Sequence, residues 1–469
     1  MKNLSRIIIC ALAMTALCSL SFTADAGKPR KKQAAEQPAP VVKVTTNDKG
    51  YYKDLFFDSG IGLNTRDDHP SARFAGISFE YFRTVDATGV LSQIDTIKQN
   101  EMIVGSAQDE NGVLLYPDGA PRFRVIFVHG GNSRGHGASL GEAGRDRLRE
   151  FYEAGGSYVG TCAGALFCST GYDKYDVYKN YLHIFPGHVT HTGMSKTATE
   201  ITIEEGSPLL RYYDYGGDMQ VDSVRHNGGC YMNDDEKYPM PEGTEVLARY
   251  MCKDDLNGKV VDNDGRVACW AYKASETSGR LVVIGSHPED MTGGDRLQLM
   301  SAMERYAMDG NGPARVKAQL NLGENRRMVC STHDAKPEFT KIGDRQYHHF
   351  TVDVPEGLDT LTISLSSLKG NSDYDLFIFA NPGDFAFREN ALFQNIALGM
   401  DKVLKIPAPK PGIFYISIFC DTTVESSRSM NGTQYSGRVD VLNGVPYVIG
   451  VNSSKETSSG GDEVQAKPM

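Results

Sequence analysis

The chain has no Cys-x-x-Cys spacing, so a structural zinc ribbon has no ligands to build from. No Gly-rich loop ends in Gly-Lys-Ser or Gly-Lys-Thr, which removes the phosphate cradle of nucleotide-driven enzymes. Basic runs of useful length are also missing. Against 49 Lys and Arg stand 59 Asp and Glu, a formal charge of −10. Such a surface repels phosphate backbones, and no nucleic acid is expected as a partner. Beyond Phe22 no apolar run approaches the ~20 residues that cross a bilayer, so no integral membrane segment is expected. No cofactor and no metal site is expected.

What is present begins with a leader. Lys2 and Arg6 precede an apolar stretch from Ile7 to Phe22, and Ala24-Asp25-Ala26 supplies the small-x-small pattern of a signal peptidase site. Residues 1–26 therefore read as a signal peptide, and the location expected is periplasmic or secreted. Bulky Leu17 ahead of Cys18 argues against a lipobox. Without the leader, 47 basic side chains face 58 acidic ones, a charge of −11. Nine cysteines fall to seven: Cys162, Cys168, Cys230, Cys252, Cys269, Cys330 and Cys420. If Cys162 stays a thiol, six remain to pair in an oxidising compartment, in any of fifteen connectivities.

Residues 27–71 read as a flexible N-terminal segment, polar and Pro-containing at its start. From 72 to 312 strand-like and helix-like runs alternate: Ala75 to Phe82, the helical pattern Val90 to Lys98, Arg124 to Val128, the helix Gly141 to Ala154, Tyr158 onward, Arg280 to Gly285, and the helix Asp295 to Met308. That alternation predicts an α/β domain with a mostly parallel sheet. Between its last two strands, Tyr172 to Ala271 is rich in Gly, Tyr and Asp, and is expected to lay loops or short antiparallel strands over the sheet. A linker is expected over 313–346. Residues 347–452 show short alternating runs, the pattern of a C-terminal β-sandwich. The Ser, Gly and Glu-rich tail, 453–469, is expected to be disordered.

Gly160-Thr161-Cys162-Ala163-Gly164 follows the apolar run Ser157 to Val159 and precedes a helix start. This is a nucleophile elbow, in which a strand turns sharply into a helix and glycines two residues either side keep the turn clear of Cβ atoms. It presents Cys162 at a helix N-terminus, where unpaired N–H groups favour a thiolate. Taken alone, the motif also fits a small buried cysteine in a Gly-rich turn. Three strand ends share one edge of a parallel sheet, and they are followed by Gly130-Gly131-Asn132, by Cys162, and by His287-Pro288-Glu289. The roles that follow are Cys162 as nucleophile, His287 as general base and then acid, and Glu289 as the carboxylate that orients the imidazole. Backbone N–H groups of Gly131 and Ala163 are expected in the oxyanion hole. Asn132, His226 and Gly229 are expected to contact substrate, the last two from a lid, Arg225 to Gly229. The other dense polar cluster, His188 and His191 with His183 and His226, lacks a carboxylate or cysteine to complete a metal site, and is read as loop hydrogen bonding or substrate contact.

These motifs resemble the class I glutamine amidotransferase-like superfamily. Gly155 to Ala165 is most similar to the Gly-Gly-x-Tyr-hydrophobic-Gly-x-Cys-Ala-Gly-Ala run of the amidotransferase-like domain at the N-terminus of some biotin protein ligases. The resemblance implies a flavodoxin-like fold and hydrolysis of a small-molecule or peptide amide. The α/β-hydrolases carry a similar elbow but place their acid before the histidine, whereas Glu289 follows His287; His129 ahead of Gly130 does resemble their His-Gly-Gly loop. Residues 347–452 resemble a bacterial pre-peptidase C-terminal domain through Tyr374-Asp375-Leu376-Phe377, which implies cell-surface or polymer contact. Asp373 and Asp375 lack the dense acidic loop of a Ca²⁺ site and read as turn and strand-end carboxylates. With no partner domain to consume ammonia, the activity expected is uncoupled hydrolysis through an acyl-enzyme, by a cysteine amidase or peptidase. The other readings are an exported binding protein that keeps the elbow for packing alone, a redox or aldehyde-handling role as in some superfamily relatives, and, through His129, an ester substrate.

Overall fold

The run Phe123–Val128, Phe-Arg-Val-Ile-Phe-Val, is buried at every position, as a strand covered on both faces requires. It forms the centre of the main sheet. The computed structural model describes residues 49–60, 63, 68–82, 102–252, 255–256, 259–260, 262–289, 291–368, 373–429 and 432–454. In chain order the main sheet uses β1 (Lys53–Asp58), β2 (Phe79–Phe82), β3 (Phe123–Val128), β4 (Ser157–Thr161), β5 (Ser195–Ile203), β6 (Gln220–Asn227), β7 (Glu245–Met251), β8 (Val267–Tyr272) and β9 (Leu281–Ile284). The parallel part runs β2-β1-β3-β4-β9, and β8, β7, β5 and β6 continue it antiparallel. The helices are α1 (Pro70–Ala75), α2 (Ser133–Glu153), α3 (Ala163–Phe167) and α4 (Asp295–Asp309).

Two expectations change here. The insert between Tyr172 and Ala271 does not lie over the sheet; its long strands extend it sideways, because their backbone groups find partners on the free edge of β9. The segment 27–71 is not flexible throughout. Its residues 53–58 are β1, inserted between β2 and β3 with all but Lys53 buried. The predicted helix at Val90 to Lys98, the leader and the tail beyond residue 454 lie outside the described residues.

Helix α2 begins earlier than its amphipathic pattern suggests. Asn132 caps it by accepting from the Gly135 N–H at 3.0 Å, and Gly141, at φ 66°, breaks it at the first residue of the stretch predicted as helix.

After α4 come two smaller sheets. One has five strands, in the order Val316–Leu320, Tyr347–Val354, Gly412–Cys420, Leu376–Pro382, Phe393–Asn395. The other has four, Glu324–Met328, Tyr447–Ser454, Thr360–Ser367, Lys402–Pro407. Lys402–Pro407 buries every second residue, the period of a half-covered strand. The expected linker, 313–346, supplies an edge strand to each sheet. One hairpin of the C-terminal segment, β10 (Glu425–Ser429) and β11 (Gly432–Ser436), leaves these sheets and meets β2 of the main sheet through Phe82 and Gly432.

The described residues fall in one compact unit, residues 40–469, with a continuous apolar core that includes Phe56 and Phe123 of the main sheet and Phe350, Ile363 and Ile449 of the smaller ones. At the junction, Arg122 donates to both oxygens of Asp344, at 3.1 and 3.0 Å, and lies 4.0 Å over the Tyr52 ring. Lys317 pairs with Asp118 at 2.9 Å. A cleft of about 870 Å³ opens there, lined by Tyr51, Arg124, Arg315, His349 and Phe385. It lies at the end of the parallel strands opposite Cys162, and no residue of the Cys162 site lines it.

Candidate active site

Cys162 joins β4 to α3 with φ 45° and ψ −98°, a conformation that side-chain-bearing residues rarely adopt and that surrounding structure must hold. Its N–H donates to Ile284 of β9 at 2.9 Å, and its carbonyl accepts from Leu166 at 3.1 Å. Both flanking glycines are sterically required. A Cβ on Gly160 would stand 2.8 Å from the Gly164 carbonyl carbon, and one on Gly164 would stand 2.2 Å from the Val128 carbonyl oxygen of β3. The Tyr158 hydroxyl braces the turn by donating to the Gly164 carbonyl at 2.8 Å. Cys162 is 4% exposed.

The loop after β9 brings in the other two groups. His287 is fixed by its backbone, whose N–H donates to the Arg225 carbonyl at 2.9 Å. Its Nδ1 lies 2.7 Å from Glu289 Oε1, and its ring also hydrogen-bonds Cys162. Gly130 supplies the space for this meeting: a Cβ there would stand 2.2 Å from His287 Cε1 and 3.3 Å from Cys162 Cβ. Burial alone would lower the His287 pKa, but the hydrogen bonds to Cys162 and Glu289 and their charges outweigh it and lift it to about 10. Glu289 shows the converse. Burial would raise its pKa, but the His129 charge, followed by the hydrogen bond from His287, holds it near 2. Cys162, His287 and Glu289, picked out from strand ends, thus stand in one hydrogen-bonded line.

Two further residues act on that line through Glu289. Thr161 donates its hydroxyl to Glu289 Oε1 at 3.2 Å, and His129 Nε2 lies 3.6 Å from the same oxygen. The His129 side chain therefore serves the carboxylate. The available signal for both residues was adjacency: each is next to a motif residue, at the end of a strand.

The other expected residues divide. Ala163 is the first residue of α3, so its N–H has no acceptor within the helix. Gly131, at φ 145°, forms an isolated bridge with Leu63. Asn132 is exposed at the rim, with its side-chain oxygen committed to the α2 cap. His226 and Gly229 are both buried and not on an exposed lid. His226 faces inward from β6, fully buried, with Nε2 2.7 Å from the Thr199 hydroxyl. Burial, and then the His287 charge, lowers its pKa to about 4. Gly229 is needed for a close backbone approach; at φ 89°, its Cβ would stand 2.1 Å from the Gly285 carbonyl oxygen.

The histidine cluster is spread among separate partners. His183 bonds the Tyr178 carbonyl, His188 the Asn233 side chain, and His191 pairs with Asp173 at 2.6 Å. Among the described residues no three metal-ligating groups converge. Asp375 accepts from the Gly399 N–H at 2.6 Å. All seven described cysteines are free thiols, so the pairing expected of six of them does not occur; they are held apart on different elements, and burial raises the pKa of Cys168, Cys230, Cys269 and Cys420.

The family model for the N-terminal part of biotin-protein ligase matches residues 119–330. That span is similar to an amidotransferase-like domain and includes the elbow and the His287–Glu289 pair. Among solved structures, a protein described as ThuA-like from Bacteroides uniformis is 15% identical, covering 56% of this chain and 96% of its own, with a TM-score of 0.32. The pre-peptidase C-terminal domain of a collagenase from Bacillus anthracis is 12% identical, covering 30% of this chain and 100% of its own, with a TM-score of 0.17. No curated protein matches the chain. No helix among the described residues is long and apolar enough to cross a membrane.

Proposed function

We propose that the chain is an exported cysteine-dependent hydrolase of amides or peptides. The observation that carries this reading is the hydrogen-bonded line Cys162–His287–Glu289, with the sulfur-bearing residue held at φ 45°. The Cys162 thiolate attacks the amide carbonyl, forming a C–S bond and a tetrahedral oxyanion that faces the Ala163 and Gly131 N–H groups. The C–N bond breaks as the His287 imidazolium gives its proton to the leaving nitrogen. Water then loses a proton to His287 and attacks the acyl-enzyme; the carboxylic acid departs and the thiolate returns. Glu289 stays ionised throughout and balances the imidazolium.

We read the parallel part, with strand order β2-β1-β3-β4-β9, as flavodoxin-like, and the two smaller sheets as a β-sandwich of the pre-peptidase C-terminal type that contacts a surface or polymer. Export rests on the leader pattern of residues 1–26. The low exposure of Cys162 favours one competing reading, a catalytically silent binding protein. Activity-based labelling of the mature chain with an electrophilic acyl probe separates the two. The hydrolase requires labelling at Cys162 that is lost in Cys162→Ala and falls at least tenfold in His287→Ala. A wild-type chain that takes no label would leave the binding protein.

A further inference from the structure

We propose that Arg225 selects substrates that carry a carboxylate close to the scissile amide; this assignment rests on the hydrolase reading above. Arg225 and His287 stand directly opposite each other in an isolated antiparallel bridge, joined by the His287 N–H to Arg225 carbonyl bond of 2.9 Å. Residues opposed in that way project to the same face, with Cβ atoms about 4.5–5.5 Å apart. Its neighbours on β6, Val224 and His226, point the other way and are buried, whereas Arg225 is exposed. The Arg225 side chain therefore starts beside His287, the residue whose imidazole serves Cys162, and extends from there into solvent.

Nothing among the described residues uses that charge. Arg225 has no ion pair and no side-chain hydrogen bond there; Glu289 pairs with His287 and His129 instead, and its Oε2 finds no hydrogen-bond partner. The setting gives the charge meaning: the chain is acidic, at −10 overall, so a guanidinium next to the His287 backbone adds to a local reversal of sign. Of the cationic side chains, arginine is the one whose planar fork matches a carboxylate in two hydrogen bonds. Neutral amides gain nothing from it.

Two alkylating agents of nearly the same shape test the assignment, iodoacetate with a carboxylate and iodoacetamide without. In each case the Cys162 sulfur bonds to the methylene carbon as iodide leaves. Rates at Cys162 are read by mass spectrometry on the mature full chain, with Cys162→Ala as blank. The iodoacetate to iodoacetamide rate ratio is expected to fall about 3- to 10-fold in Arg225→Gln, with the iodoacetamide rate unchanged, and to be largely restored in Arg225→Lys. His287 attracts iodoacetate equally in every variant, so the difference isolates Arg225. Because the side chain is exposed and only its carbonyl pairs, Arg225→Gln should melt with the wild type. An unchanged ratio in a folded Arg225→Gln, or an equal loss with both reagents, overturns the substrate assignment and leaves the nucleophile standing. A wild-type Cys162 that reacts with neither reagent overturns both.

Discussion

The carboxylate of Glu289 gathers a hydrogen bond from His287, another from Thr161 and the charge of His129 at one oxygen. Together with Cys162, this buried carboxylate overcomes the effect of burial and lifts the His287 imidazole far above its ordinary range. A histidine pKa raised in the folded protein means that the charged ring persists at neutral pH and is lost only as pH rises through about 10. In Glu289→Gln the negative partner disappears and the imidazolium loses its support. The His287 ring, followed by nitrogen-detected NMR, should then titrate at least one unit lower than in the wild type. A midpoint that stays near the wild-type value would mean that Glu289 does not hold that proton.

At the scale of elements, the elbow works because two backbones pass where a side chain cannot fit. Gly164 lies against the β3 carbonyl of Val128, and neither can retreat: the strand is fixed between β1 and β4, and the helix start is fixed by Tyr158. Gly164→Ala should therefore cost more than about 2 kcal/mol in urea unfolding and slow Cys162 labelling at least tenfold. A variant of wild-type stability and reactivity would show that the turn yields more easily than its contacts imply. This constraint is why the elbow was legible in the sequence: glycine spacing is a local demand. So were the strands β3, β4 and β9, whose apolar runs are long enough to mark themselves. The burial of His226 has the opposite cause. In a strand, successive side chains take opposite faces, and the parity of β6 is set by its pairing with β5 and the loop after β9, which lie far away in the chain. One residue's shift turned His226 inward and Arg225 outward. Thr161 and His129 were missed for a related reason, since their value depends on where a third residue's carboxylate arrives.

Across the whole molecule, the two halves predicted as separate domains share a core and a buried ion pair. Asp344 comes from the expected linker and Arg122 from the entry to β3; both are almost fully buried, and Thr423 adds a hydroxyl to the same carboxylate. Asp344→Ala would leave the guanidinium buried without its counter-charge, a loss of about 3–5 kcal/mol. The sole tryptophan, Trp270, is buried in β8 of the main sheet and reports on the other half of the molecule. Its fluorescence midpoint in urea should move with the Asp344→Ala destabilisation in a single transition. A Trp270 midpoint that does not respond would mean that the halves unfold separately. The boundary at residues 312–313 was drawn from a change of texture, and texture carries no information about which strands return.

The hairpin β10–β11 is one that returns. It is made last of all the strands of the main sheet, yet it closes that sheet's outer edge at β2, some 350 residues upstream. A ribosome must have released more than nine-tenths of the chain before this edge can be sealed. The outer edge of β2 therefore stays open to other partners until synthesis is nearly complete, and the main sheet is finished only when the C-terminal segment returns to it.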